Sequence, residues 1–193
     1  MLYDSRNHGE SGHAKTSLGY FVRNDVEGAV AYLKDGPTSQ DRIVLLGVSM
    51  GAVADLLAAA ETPPVAAVVS DSAYLSLDDT VSHHIKLFFH IPAFPLANEL
   101  EFFIRLRAGF DTTKVSMVDA VTAIGDRPIL FIAGARDRRM PPSIAERLYQ
   151  SARSPKSGLL IVDGAGTEVH GHAYLTDPKL YVDRVRQFLE QIQ

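Results

Sequence analysis

A chain of 193 residues suits one domain, and 46% apolar against 22% charged residues is the balance of a protein that buries a core; disorder as the main state is excluded. The formal net charge is −4, and the one dense basic stretch, Arg136–Arg139, is too short for an electrostatic footprint on nucleic acid or an anionic membrane. The absence of cysteine rules out disulfides, thiolate zinc sites and cysteine nucleophiles, and fits a reducing, cytoplasmic setting.

Met1-Leu2-Tyr3-Asp4 is not a charged leader followed by an apolar run, so no signal peptide is read there. No apolar stretch approaches the ~20 residues that a bilayer span needs. Val22, Val26, Ala29, Val30 and Leu33 fall on one face of a helix, which Gly36-Pro37 stops. Arg42–Leu46 then predicts a strand, Val53, Leu56, Leu57 and Ala60 a helix, and Val65–Val69 a second strand. Residues 74–124 show no strand pattern. With Leu87-Phe88-Phe89, Phe94 and Phe102-Phe103, they read as two or three helices, a cap-like segment within a single domain spanning 1–193. Strands follow at Ile129–Ile132 and Leu159–Val162. Asp177-Pro178, an N-cap and a first-turn proline, opens a last helix whose apolar face is Tyr181, Val185, Phe188, Leu189 and Ile192. Continuous apolarity marks a parallel strand covered on both faces, so the expected fold class is α/β, a mainly parallel sheet flanked by helices.

Gly47-Val48-Ser49-Met50-Gly51 sits where the first of these strands ends and the next helix begins. A nucleophile on so tight a turn needs small flanking residues, because its backbone is strained. The helix N-terminus also sets free N–H groups beside a developing oxyanion. Ser49 is therefore the predicted nucleophile.

Together with Leu18-Gly19-Tyr20, Asp25-Val26 and Tyr32-Leu33, this motif gives residues 2–190 a resemblance to the C-terminal two-thirds of a bacterial-type α/β-hydrolase, of the serine aminopeptidase-like and BEM46-like group. Tyr3-Asp4-Ser5-Arg6-Asn7-His8-Gly9-Glu10-Ser11-Gly12 resembles the family's Asp-x-Arg-Gly-x-Gly-x-Ser turn, with Asn7 where glycine is usual. Asn tolerates positive φ, so the turn can survive the change. Ile129–Asp137, with its proline at Pro141 or Pro142, resembles the segment that carries the family's acid, which implies that role for Asp137. Asp71 and Asp163, at the ends of other strands, are its rivals. Gly164–Tyr174 resembles the family's His-Gly-x-Ala-Tyr pattern and implies His170 as base, with His172 as the rival and His8 in the turn as a third. The order Ser49, Asp137, His170 is the order this fold uses.

His83, His84 and His90 are expected on the surface or on a pocket rim, and Phe88 and Phe102 in the core or a pocket wall. As metal ligands, His170 and His172 lack a third partner at a matching spacing, and no cofactor or metal is implied. The resemblance further implies that the fold's first strands are missing and that Leu2-Tyr3 is a strand stub. Strand Ile43–Leu46 would then pair with that stub or keep an open edge, for a second copy or another partner to cover. Of two oxyanion donors only the Met50 N–H would remain. The expected function is a serine hydrolase cleaving small-molecule esters, and less readily amides, through an acyl-enzyme on Ser49. A weakly active or non-catalytic hydrolase-like fragment is the alternative.

Overall fold

The computed structural model describes residues 1–35 and 43–192. Four strands, β1 Ile43–Val48, β2 Val65–Asp71, β3 Ile129–Gly134 and β4 Gly158–Val162, form one sheet in the order β1-β2-β3-β4, every pairing parallel. Three of them run about two residues past their apolar patterns, because the ladder continues through small and polar residues: Gly47 pairs with Ser70 and Val48 with Asp71. Among the described residues, eight α-helices accompany the sheet: α1 Arg23–Lys34, α2 Met50–Glu61, α3 Leu77–Phe89, α4 Leu96–Ala108, α5 Met117–Ile124, α6 Pro142–Ser151, α7 Ala173–Thr176 and α8 Pro178–Gln191. The expected stop at Gly36-Pro37, and Arg42, lie outside the described residues.

Helices cover the sheet on both faces. On one, Val68, Ile129 and Phe131 pack with Leu56 of α2, Val121 of α5 and Leu148 of α6. On the other, Ala67, Val69, Leu130 and Ile132 meet Tyr181 and Phe188 of α8. The Asp177 carboxylate caps α8 by accepting from the Leu180 N–H, with Pro178 at the first helical position, as the sequence predicts. α2 is buried along its whole middle, Ala52 to Ala59, not on one face alone. Its alanines let α1 approach from outside, where Val22 and Val26 meet Ala54 and Ala58. The Arg127 guanidinium donates to the carbonyls of Ala59, Thr62, Val65 and Ile124, satisfying the C-terminal ends of α2 and α5.

β1 departs from the expectation of cover on both faces. Leu46 and Val48 stay exposed: β1 is the end strand of the sheet among the described residues, and Leu46 lines an open groove with Tyr181, Val185 and Leu189 of α8 rather than being covered by it. Residues 1–5 form no strand and Leu2 is fully exposed, so the expected stub adds no ladder to β1. The cap-like segment is also shorter than 74–124. Met117, Ala120, Val121 and Ile124 of α5 lie in the core against α2, so α5 belongs to the layer that flanks the sheet. Only α3, α4 and the short turn after them stand outside that layer, and of the described side chains on α4 only Ala97 is buried.

Candidate active site

Four strands that run in one direction deliver their C-terminal ends to one edge, and the chemistry-bearing residues gather there. Ser49 follows β1 directly with φ 56° and ψ −116°, a strained conformation for a side chain with a Cβ. Two contacts hold it: its N–H donates to the Asp71 carbonyl at 2.8 Å, and its carbonyl accepts from Val53 at 3.2 Å. Gly47 is required, because a Cβ there would lie 2.4 Å from the Gly51 carbonyl carbon and 2.6 Å from the Ala52 nitrogen. Gly51 is not under the same constraint, since a Cβ at that position meets nothing within 4 Å. The expected need for small residues on both sides of Ser49 therefore holds on one side only. Met50 opens α2, so its N–H is among the four that have no acceptor within the helix.

Asp137 sits past β3 with a side chain only 1% exposed. One carboxylate oxygen accepts from the N–H groups of Arg139 and Met140, at 2.8 and 2.9 Å. The other accepts from His170 Nδ1 at 2.6 Å. Burial works to raise its pKa, but the bond from His170 and these two N–H groups outweigh it and hold the carboxyl below its usual range.

His170 comes from the loop between β4 and α7, a run of tight turns in which Thr167, Val169 and His172 donate to Gly164, Gly166 and Val169. Gly134 lets that loop approach β3, because a Cβ there would stand 2.9 Å from the Thr167 carbonyl. Nε2 of the His170 ring lies 2.7 Å from Ser49 Oγ. Ser49, His170 and Asp137 thus form one continuous hydrogen-bonded chain, with the imidazole 8% exposed.

Residues 11–191 match the prolyl oligopeptidase family, peptidase family S9. The chain belongs to that family. It has the α/β-hydrolase fold, and the Pyrococcus furiosus esterase Pf2001 superposes on it at 26% identity with a TM-score of 0.73 over 97% of this chain and 68% of that one. The α/β-hydrolase GrgF from Penicillium sp. sh18 superposes with a TM-score of 0.70 at 19% identity, covering 98% of this chain and 78% of its own. In sequence, YqkD of Bacillus subtilis, an uncharacterized protein, is 30% identical over all of this chain and 62% of YqkD. The chain spans about three fifths of the length of the curated relatives it matches.

The rival residues go elsewhere. Asp71 is buried, accepts from Ser72 Oγ at 2.8 Å and interacts with the Tyr181 hydroxyl; burial raises its pKa, partly offset by Ser72, Tyr181 and the nearby His170. Asp163 is exposed, 3.6 Å from Arg136. His172 caps α7, where its carbonyl accepts from Thr176. His8 is exposed in the first turn, its ring 2.9 Å from the Arg6 carbonyl. Asn7 does take positive φ, 62°, and its amide ties Ala14 to the same turn. The Arg6 guanidinium grips both carboxylate oxygens of Asp25, anchoring this turn to α1.

The helical segment holds what the sequence pattern missed. His83 lines a surface pocket with Asp79 and Arg139, as the sequence leads one to expect, but its Nε2 also lies 2.7 Å from the Arg138 carbonyl, in the loop that carries Asp137. A residue type at that spacing cannot announce a contact made across 55 residues. Phe88 and Phe102 are exposed rather than core. Among the described residues no group of three or more His, Cys, Asp or Glu could hold a metal ion, and no helix is long and apolar enough to cross a membrane.

Proposed function

We propose that this chain is a serine hydrolase that cleaves esters, and less readily amides, through an acyl-enzyme on Ser49. The single observation that carries the reading is the chain Ser49–His170–Asp137, with spacings of 2.7 and 2.6 Å. In it, His170 accepts the Ser49 proton as the hydroxyl attacks the carbonyl carbon. Asp137 holds the ring by its Nδ1–H and stabilises the imidazolium; its lowered pKa keeps it ionised for that task. The tetrahedral oxyanion forms beside the N-terminus of α2, where the Met50 N–H is the donor. His170 then returns its proton to the leaving alcohol, and a water activated the same way releases the acid. The ester preference is supported by the esterase Pf2001 among its structural relatives, and the finer place beside serine aminopeptidase-like hydrolases by the turn around Arg6 and Asn7.

A fluorophosphonate probe tests the reading. Ser49 becomes labelled in the native chain, and Ser49→Ala and His170→Ala abolish the label; a native chain that takes none overturns it. A second reading, a weakly active hydrolase-like fragment, is favoured by β1, whose outer edge has no strand partner among the described residues. In that case labelling persists while ester turnover falls by about 10²–10³, the usual cost of one oxyanion donor.

A further inference from the structure

Asp137 is aimed at His170 by two backbone N–H groups, Arg139 and Met140, so its aim is only as firm as the loop 138–140. Arg138 and Arg139 are exposed, and the loop's own bonds do not fix its outer side. That side is held by α3. His83 Nε2–H donates to the Arg138 carbonyl at 2.7 Å. The neighbouring His84 ring interacts with the Arg139 backbone, and the Phe88 ring lies 5.9 Å from the Arg139 guanidinium. α3 itself is a firm support: Leu77, Val81 and Ile85 are buried, and Ser76 caps its first turn through the Asp79 N–H.

We propose that His83 is a positioning residue, through which α3 holds the Asp137 loop in the geometry that orients the imidazole. The inference rests on the reading of Ser49, His170 and Asp137 given above and adds a residue outside that chain. It assigns the bond no chemistry with substrate. Its effect passes through the Arg138 carbonyl to the Arg139 and Met140 N–H groups, and so to the Asp137 carboxylate. A looser loop leaves the serine less nucleophilic without changing what binds.

The test uses the full chain, with fluorophosphonate labelling rates of Ser49 and the kcat and KM of an aryl acetate. Loss of one such hydrogen bond is expected to slow labelling about tenfold in His83→Ala, lowering kcat while KM stays within about twofold. His83→Gln, whose amide N–H reaches the same carbonyl, returns to within about twofold of the native rate. His83→Asn, one methylene too short, stays as slow as His83→Ala. The Gln–Asn pair decides the matter even if the alanine variant fails to fold. Native labelling rates in both His83→Ala and His83→Asn overturn the inference while leaving the hydrolase reading intact. Equal slowing in Gln and Asn, with matching losses of thermal stability, also overturns it, since that pattern is a purely structural role. A native chain that takes no label overturns both readings.

Discussion

The strand ends and the helical segment use their apolar residues in opposite ways. Along β2 and β3 nearly every side chain is buried, and Ser49, His170 and Asp137 each have hydrogen-bond partners. Between residues 88 and 106, by contrast, Phe88, Phe89, Phe94, Phe102, Phe103 and Leu106 are all more than half exposed. A side chain at a strand end inherits its position from the ladder and from cores on both faces of the sheet. One on α4 inherits little, because that helix is anchored mainly through Ala97. The bond-making groups are therefore over-determined by the fold, and the neighbouring apolar surface is free to differ. His83, with His84 and Phe88 beside it against Arg139, ties the helical segment to the loop that carries Asp137.

The largest effect expected is at the strand ends. Asp137→Asn should lower kcat on an aryl acetate by about 10⁴, because the imidazole loses both orientation and charge support. Asp71→Asn should cost less than about tenfold, since its carboxyl meets Ser72 and Tyr181 rather than the ring of His170. Equal losses would move the acid role to Asp71.

Next comes a pH effect on stability from the interior of α2. Burial pushes Asp55 up to about 7, so the native state holds a proton that the unfolded chain releases above its ordinary carboxylate range. Its contribution to stability is thus complete at pH below about 4 and is lost as pH rises to about 7. The sum is at most about 4 kcal/mol. Urea denaturation at pH 5 and pH 8 should show the loss, and Asp55→Asn should flatten it. A slope unchanged by that substitution would place the titrating group elsewhere.

Smaller still is the contrast within the turn at Ser49. Gly47→Ala should destabilise by about 1–3 kcal/mol through overpacking against Gly51 and Ala52. Gly51→Ala should stay within about 0.5 kcal/mol. Comparable denaturation midpoints for the two would show that the turn yields on both sides. The smallest effect is expected on α4, where Phe102→Ser and Leu106→Gln should change stability by less than about 0.5 kcal/mol. The same changes should reduce self-association in sizing chromatography, because they remove exposed apolar surface. A cooperative loss of stability from either would mean that α4 is packed as tightly as the strands.

The periodic elements were legible because their signals are local. Four apolar runs became four parallel strands, and Asp177-Pro178 opened α8 where its capping chemistry said it would. The candidate site was legible for a related reason. Strand ends on one parallel sheet share an edge, so Ser49 after β1, Asp137 after β3 and His170 after β4 had a common place to meet. Contacts that depend on how layers stack were not legible. The pattern on α2 showed one apolar face, yet the helix is buried all round, since nothing in its own sequence reports that α1 lies outside it. Continuous apolarity on β1 suggested cover that its place at the end of the sheet denies to Leu46 and Val48. α5 carries the same helical pattern as its neighbours in the cap-like segment, and only its packing on α2 sets it apart.

By itself the sequence determined the alternation of strand and helix and the glycine that Ser49 needs at position 47, while its resemblance to the family implied the order of the three residues that meet at the sheet edge. The first two follow from local sterics, capping or the period of an apolar face. Only the tertiary structure shows the distance at which Asp137, the acid that the resemblance implies, meets the imidazole, 2.6 Å, and that α3 reaches that carboxylate's loop through His83. Those contacts depend on angstrom-scale distances between segments 33 to 121 residues apart. Such distances arise only when the packing of the whole domain sets them, because spacing along the chain carries no information about how closely the fold will bring a side chain to its partner.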